Sequence, residues 1–379
     1  MYFVALRMLS ADKAKYLGLV FAIAFSTFLL ENQTSIFAGI MKRTANRILD
    51  VTDAEVWVMD PATQYFDETK ALKDTDLLRV RAVPGVAWAV RLLKDLPVAR
   101  TASGRFNQAI VIGLDDATLT GAPRRMLLGS WDRLREPNSI IIDEAGFRLL
   151  FGTIPLRTGD TLELNDRRAT IVGISDAAAP FTNFPIMHAR YSEAREFRGR
   201  ERSQLSFVLA RPQPGISPTD LANRIASTTG LRARSSPDFA WDCIRYYMAN
   251  TGIPVNFGIT IAIAIIVGLV VSGQTFYLFT VENLRQFAAL KAIGVTNPTL
   301  ARMVLLQAAV AGFSGFAIGT GMAALFFETF SRQLATRGII LLWQNAAGVA
   351  LLMALVVLAA ATLSLRKVLQ LEPAAVFRS

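Results

Sequence analysis

Side chains suited to covalent or metal chemistry are few and far apart. The chain has one histidine, His188, and one cysteine, Cys243. A lone thiol excludes a disulfide framework and a thiolate metal cluster. A lone imidazole excludes a His-rich metal site and leaves a Ser/His/Asp triad a single possible base. Adjacent carboxylates stand at Asp115-Asp116 and Asp143-Glu144, a pairing able to hold a cation but more often found as solvated charge at strand ends. Hydrolysis of ATP by a P-loop needs a Lys directly after a Gly, and none of the Lys residues follows one. The chain therefore reads as non-catalytic, with no metal and no cofactor of its own.

The best patterned segment is V-E-N-L-R-Q-F-A-A-L-K-A-I-G at 281–294. Leu284, Phe287, Ala288 and Leu290 recur at helical spacing, with charge at Glu282, Arg285 and Lys291. Gly294 suits the left-handed position past a helix C-terminus. Thr296 or Asn297 is placed to cap a following helix, and Pro298 sits where its missing N–H costs nothing. A short helix, a tight turn and a second helix make an elbow whose exposed face a partner can push on. A second candidate is Glu31, an acid in an apolar run, and ionisable residues in spans are functional candidates by default. Asn32, Gln33, Thr34 and Ser35 follow it, so it reads either as lying near the outer water or as serving a dimer seam or substrate entry. Arg195, Arg198, Arg200 and Arg202 alternate with Glu193, Glu196 and Glu201. They read as a mixed-charge solvated face, with contact to anionic lipid or a partner as the sharper alternative.

The elements that position these residues follow from where the charge lies. The chain has 379 residues, 52% of them hydrophobic and 18% charged, with a mean hydropathy of +0.37. Of 40 Lys+Arg and 30 Asp+Glu, 29 and 25 fall between Ile40 and Asn250. A water-soluble block is thus inserted into a membrane protein. Spanning helices need about 20 predominantly apolar residues. Four stretches qualify, at 16–41, 253–281, 301–328 and 338–366. The first is read as an uncleaved signal anchor, because the run is long and no A-x-A site follows it. Arg7, Lys13 and Lys15 precede the first span, Arg285, Lys291 and Arg302 lie between the second and third, and Arg366, Lys367 and Arg378 follow the fourth. All three flanks share one side if both termini are cytoplasmic. This bias also accounts for the formal charge of +10, and nucleic acid is not an expected partner.

The predicted order is a short amphipathic cytoplasmic helix at 1–15 lying on lipid, the first span, an extracytoplasmic domain at 42–250, the second span, a cytoplasmic coupling segment at 282–300, two further spans and a cytoplasmic tail at 367–379. The domain reads as mixed α/β, with strands at 54–59, 86–92, 106–114 and 139–142, and a hairpin over 161–174 around Asn165-Asp166. Cys243 falls just outside the second span, where an impermeant thiol reagent would reach it unless it is buried. In the third span Ala311, Gly315, Gly319 and Ala323 recur every four residues, a small-residue face that lets helices approach closely.

The segment from Glu282 to Gly294 resembles the E-x-x-x-E-x-A-x-L-K-A-I-G-A signature of FtsX-like ABC transporter permeases, the MacB/LolC/DevC group also called type VII or mechanotransmission transporters. The resemblance extends over nearly the whole chain. The ending L-E-P-A-A-V-F-R at 371–378 is similar to the family's D-P-x-x-A-L-R, and R-T-G-D-T-L-E-L-N-D-R-R-A-T-I-V-G-I at 157–174 to its external subdomain. Length and the lack of a fused ATPase resemble the DevC-like or HrtB-like branch. Gln286 and Val295 depart from the acidic residue and Ala common at those positions. The resemblance implies four transmembrane helices with a large external domain, made of a MacB-like porter lobe and a β-rich lobe. It implies a homodimer in the bacterial inner membrane, two copies of a separate ATPase subunit that uses the ATP, and a periplasmic adaptor with an outer-membrane channel. The substrate would be a lipid, glycolipid or other hydrophobic molecule. The residues expected to contact the ATPase are Glu282, Arg285, Gln286, Lys291 and Gly294. The alternatives are an FtsX-like regulator passing motion to an external enzyme and, from another class, a membrane sensor.

Overall fold

The computed structural model describes residues 2–198, 205–330, 333 and 337–370. Arg200, Arg202 and the ending at 371–378 lie outside the described residues. The chain divides into a helical unit, Met1–Gly39 with Gly252–Ser379, and a sheet unit, Ile40–Thr251. It opens with α1 (Tyr2–Ala11) and α2 (Lys13–Leu49), the latter unbroken well beyond the apolar run that predicts it.

In the sheet unit, β1 (Val56–Met59), α3 (Asp74–Arg81), β2 (Val86–Asp95), β3 (Val98–Thr101), β4 (Phe106–Gln108), β5 (Ile110–Leu114), β6 (Met126–Gly129) and β7 (Ser139–Asp143) come first. They are followed by α4 (Glu144–Phe151), β8 (Thr161–Leu164), β9 (Arg167–Ser175), β10 (Ile186–Arg190), α5 (Tyr191–Arg198), β11 (Phe207–Pro212), α6 (Pro218–Thr229), β12 (Arg232–Ser235) and α7 (Ser236–Asn250). The strands order as β12-β1-β11-β2-β5-β10-β7-β9-β8-β3-β4, with β6 beside β9. Strand β2 joins the two halves: residues 86–92 pair with β11 and 93–95 with β5. Both faces are covered. Val56 and Val58 enter one core while Trp57 and Met59 enter the other, so β1 is buried at every position rather than alternately.

Local chemistry explains the element ends. Asn165 (φ 45°) and Asp166 (φ 63°) are both left-handed, the two-residue turn that suits a hairpin, and they join β8 to β9. Ser217 caps α6 by accepting from the Asp220 N–H, Pro218 occupies its first turn, and Gly230 ends it at φ 71°. The single strand predicted over 106–114 is corrected to two. Ala109 donates its N–H to the Pro97 carbonyl and Ile110 to that of Pro185, so the segment changes partner from β3 to β10 within one residue.

The helical unit continues with α8 (Ile253–Glu282), α9 (Leu284–Ala292), α10 (Asn297–Phe330) and α11 (Trp343–Leu369). Helices α2, α8, α10 and the Trp343–Arg366 part of α11 are each long and apolar enough to cross a membrane. Ala311, Gly315, Gly319 and Ala323 form a buried stripe on α10. A Cβ built on Gly315 would stand 3.0 Å from the Val20 carbonyl oxygen, and one on Gly319 2.5 Å from that of Ala24. The stripe therefore lets the α10 and α2 backbones touch within one chain. Glu31 lies on the same seam, fully buried, with its Oε1 accepting from Thr320 Oγ1 at 2.8 Å. Among the described residues this acid is enclosed by its own chain.

Candidate coupling site

Helix α9 is set apart from α8 by one residue. Asn283 ends α8 and starts α9: its Nδ2 donates back to the Phe279 carbonyl at 2.7 Å, and its own carbonyl accepts from Gln286 and Phe287. A short amide side chain that competes for backbone groups suits such a break. The far end is a Schellman turn, with the Gly294 N–H bonded to Lys291 O, the Val295 N–H to Leu290 O, and Gly294 at φ 94°. The next helix starts within two residues, where the carbonyl of Thr296 accepts from Thr299 and Leu300.

Phe287 and Ala288 bury one face of α9 in the helical core. The opposite face shows Arg285, Gln286, Ala289 and Ala292, and ends in Ile293, which is 77% exposed. The charges expected to reach outward divide into two groups. Glu282 pairs with Lys15 at 2.5 Å, and Lys291 donates to the Leu369 carbonyl at 3.1 Å. Glu282 stays exposed while paired, Lys291 is half-buried, and Arg285 and Gln286 lie on the surface. Gly294 has the predicted positive φ and no side chain near it. Sequence reading passed over Asn283 and Ile293, although a cap-favouring residue and an aliphatic one before the terminal Gly were the available signals.

The ties gather several helix ends at one place. Lys15–Glu282 joins the start of α2 to the end of α8, and Lys291 joins α9 to the end of α11. Buried Gln307 donates to the Ala5 carbonyl at 2.8 Å, while Ala5 and Met8 pack with Leu300, Met303 and Val304. Helix α1 is thereby fixed along the first turns of α10. Its other side exposes Tyr2, Phe3 and Leu6. Helix α9 is thus bonded directly to α11, and α8 to α2, at this end of the helical unit.

The residues singled out in the sheet unit have structural roles. Asp115 accepts from the Ala117 and Thr118 N–H groups, and Asp116 from Ser192. Asp143 caps α4 through the Gly146 N–H, and Glu144 pairs with Arg148. Arg198 lies 3.6 Å from Asp95. Cys243 is buried beneath the Phe66 N–H, and burial pushes its thiol up to about 12, so a thiol reagent does not reach it. Missed by sequence reading was Lys94, 5% exposed, whose Nζ donates to Asp67 Oδ1 at 2.9 Å and to the Phe66 and Asp67 carbonyls. Burial lowers its pKa and the Asp67 carboxylate partly restores it.

His188 is buried on β10, and desolvation, followed by the nearby Arg47 charge, holds it down at about 3 against an ordinary 6.5. The unfolded chain takes up a proton near 6.5 that the folded chain refuses, so acid favours unfolding between those values. By pH 4.5 the loss is about 2–3 kcal/mol. Thermal melting at pH 7 and pH 4.5 is expected to show a smaller acid penalty in His188→Gln than in wild type. Equal penalties would exclude this histidine as the cause.

Comparison with known proteins came to the same two parts of the chain. Residues 17–228 match the MacB-like periplasmic core domain family, and residues 258–373 the FtsX-like permease C-terminal family. The chain is 24% identical over 343 residues to two proteins of Mycobacterium tuberculosis named uncharacterized ABC transporter permeases, MT0078 of strain CDC 1551 / Oshkosh and Rv0072 of strain ATCC 25618 / H37Rv, covering 88% of either partner in each alignment. Among solved structures it is similar to the periplasmic region of MacB from Actinobacillus actinomycetemcomitans, at 12% identity and TM-score 0.39, over 54% of this chain and 96% of that one. It is also similar to the extracellular domain of the noncanonic ABC-type transporter YknZ from Gram-positive bacteria, at 13% identity and TM-score 0.36, over 48% and 98%.

Proposed function

Since the chain belongs to the MacB-type, FtsX-like permeases of ABC transporters, a family that implies an ATPase partner, we propose that α9 is where that partner transmits force. Two copies of a separate ATPase would dock on a homodimer of this chain, each seating the Arg285–Ile293 face of α9 in a groove. The observation that carries this is the combination of an exposed apolar tip, Ile293, with the bonds that Glu282 and Lys291 make to neighbouring helices. A helix seated in a groove by one aliphatic anchor is a common recognition mode. The ties turn its displacement into motion of the helix bundle. Helix α2 runs without a break from Lys13 to Leu49, about 55 Å at 1.5 Å per residue, and so carries that motion as a rod.

The flanks that bear Arg7, Lys15, Arg285 and Arg302 favour a cytoplasmic position for this end, both termini included, in the inner membrane. The sheet unit is then periplasmic, and its movement works on a hydrophobic substrate, a lipid or glycolipid, together with an adaptor protein and an outer-membrane channel. ATP is used by the partner subunit. The test is co-expression with the ATPase subunit and purification through a tag on this chain. Equal numbers of the two subunits are expected, with ATP hydrolysis by the complex and none by this chain alone. ATPase activity that persists in the chain alone after removal of contaminants sinks the proposal.

A further inference from the structure

The sheet unit contains a cavity of about 320 Å³ on the face that carries Trp57 of β1, Leu92 of β2, Ile112 of β5 and His188 of β10. The register sets Ile112 directly beside His188. Three further strands, β11, β2 and β5, lie between β1 and β10 in the sheet order. The end of α2 and the segments 121–125 and 176–178 complete its lining, with Arg124, Arg125 and Asp176 exposed at its mouth.

Two observations point to an occupant. First, Trp57 Nε1 and His188 Nδ1 have no hydrogen-bond partner among the described residues, although the two side chains are 0% and 6% exposed. Polar atoms so deeply buried are nearly always bonded, and an indole N–H can be satisfied only by an acceptor. Second, the charges at the mouth do not cancel. Arg47 pairs with Asp50 and Arg125 with Asp176, whereas Arg124 donates only to Thr52 Oγ1, at 2.8 Å, and has no acidic partner among the described residues. One positive charge at the mouth, an apolar interior and a donor without an acceptor within it define the complementary molecule.

We propose that this cavity binds an amphipathic monoanion whose apolar body carries an oxygen part-way along, as in a hydroxylated acyl carboxylate. The anionic group meets the Arg124 guanidinium, the chain lies over Leu92 and Ile112, and the internal oxygen accepts from Trp57 Nε1–H. A volume near 320 Å³ is at the small end of ligand pockets and suits an acyl chain of about ten carbons. Binding here is separate from the coupling reading, because it is read on this chain without its ATPase.

The test uses the full chain in lipid nanodiscs, with 3-hydroxydecanoate, decanoate and 1-decanol as probes, followed by saturation-transfer NMR against empty discs. Saturable binding is expected to be strongest for 3-hydroxydecanoate and weakest for the uncharged alcohol. Arg124→Gln, on the exposed rim, should weaken both acids by about fivefold or more. Trp57→Phe keeps a smaller aromatic ring and removes the N–H, and should weaken 3-hydroxydecanoate by a similar factor beyond any effect on decanoate. No saturation above empty discs, equal binding of 1-decanol, or an unchanged affinity in folded Arg124→Gln overturns the proposal. A Trp57→Phe protein that elutes and melts as wild type yet binds 3-hydroxydecanoate as tightly does the same.

Discussion

Replacing Ile293 by Asp is expected to reduce recovery of the ATPase subunit by about ten- to a hundredfold without loss of membrane insertion. Ile293 is 77% exposed at the end of α9, so little packing among the described residues is lost with it. Burying an aliphatic side chain of this size in a partner's groove contributes about 1.5–3 kcal/mol, and each 1.4 kcal/mol is about tenfold in affinity. A carboxylate there forfeits that gain and adds the cost of desolvating a charge. Gly294→Val acts differently. Nothing lies within 4 Å of its would-be Cβ, so the penalty is conformational, about 1–2 kcal/mol for a β-branched residue at φ 94°. That variant should assemble with the ATPase but pass less of each hydrolytic cycle to substrate movement, because the Schellman turn fixing the angle of α9 to α10 is weakened. Arg285→Ala should be the mildest of the three, since exposed charged contacts contribute about 1 kcal/mol or less. The comparison is pull-down yield, ATPase rate and transport at matched expression. Wild-type recovery of the ATPase by Ile293→Asp would remove α9 from the docking surface.

How much of this was readable in the sequence depends on the range of the interaction. Gly294 and Pro298 punctuate the elbow locally, so its turn and the start of α10 were legible from residue type alone. The break at Asn283 was not, because apolar spacing runs on through Val281, Leu284 and Phe287 and a single cap residue leaves no periodic trace. The use made of Glu282 was also hidden. Its partner Lys15 lies at the other end of the sequence, and only packing of the first helix against the later ones brings the two together. The cavity in the sheet unit is a stronger case of the same limit. Trp57 and His188 share a face only because β11, β2 and β5 lie between their strands in the sheet order, a result of long-range pairing that no local pattern encodes. The small-residue repeat of α10 was legible as a close-packing face because four-residue spacing survives in sequence, whereas the helix it meets did not show until the fold was known.

That seam gives the second large effect. Gly319→Leu is expected to abolish accumulation of folded protein in the membrane, while Gly321→Leu, two residues along the same helix, should accumulate as wild type. At position 319 a Cβ alone would stand 2.5 Å from the Ala24 carbonyl oxygen and 2.6 Å from Thr27 Cβ. The first of those neighbours is backbone and cannot swing aside, so α10 must move away from α2 along its length. Ordinary overpacking costs about 1–3 kcal/mol. Here the separation would also open the Thr320–Glu31 hydrogen bond and leave the buried carboxyl group without that partner inside the bundle. At Gly321 nothing lies within 4 Å, so a leucine there meets only the surroundings of the bundle. Glu31→Gln separates the two contributions, since the amide oxygen retains the bond from Thr320 without an ionisable group, and it should accumulate normally. Yields in membrane fractions and melting in detergent decide the matter. Equal behaviour of Gly319→Leu and Gly321→Leu would show that the α2–α10 contact is not tight enough to exclude a side chain. Normal accumulation of Gly319→Leu together with loss of Glu31→Gln would instead place the requirement on the acid itself.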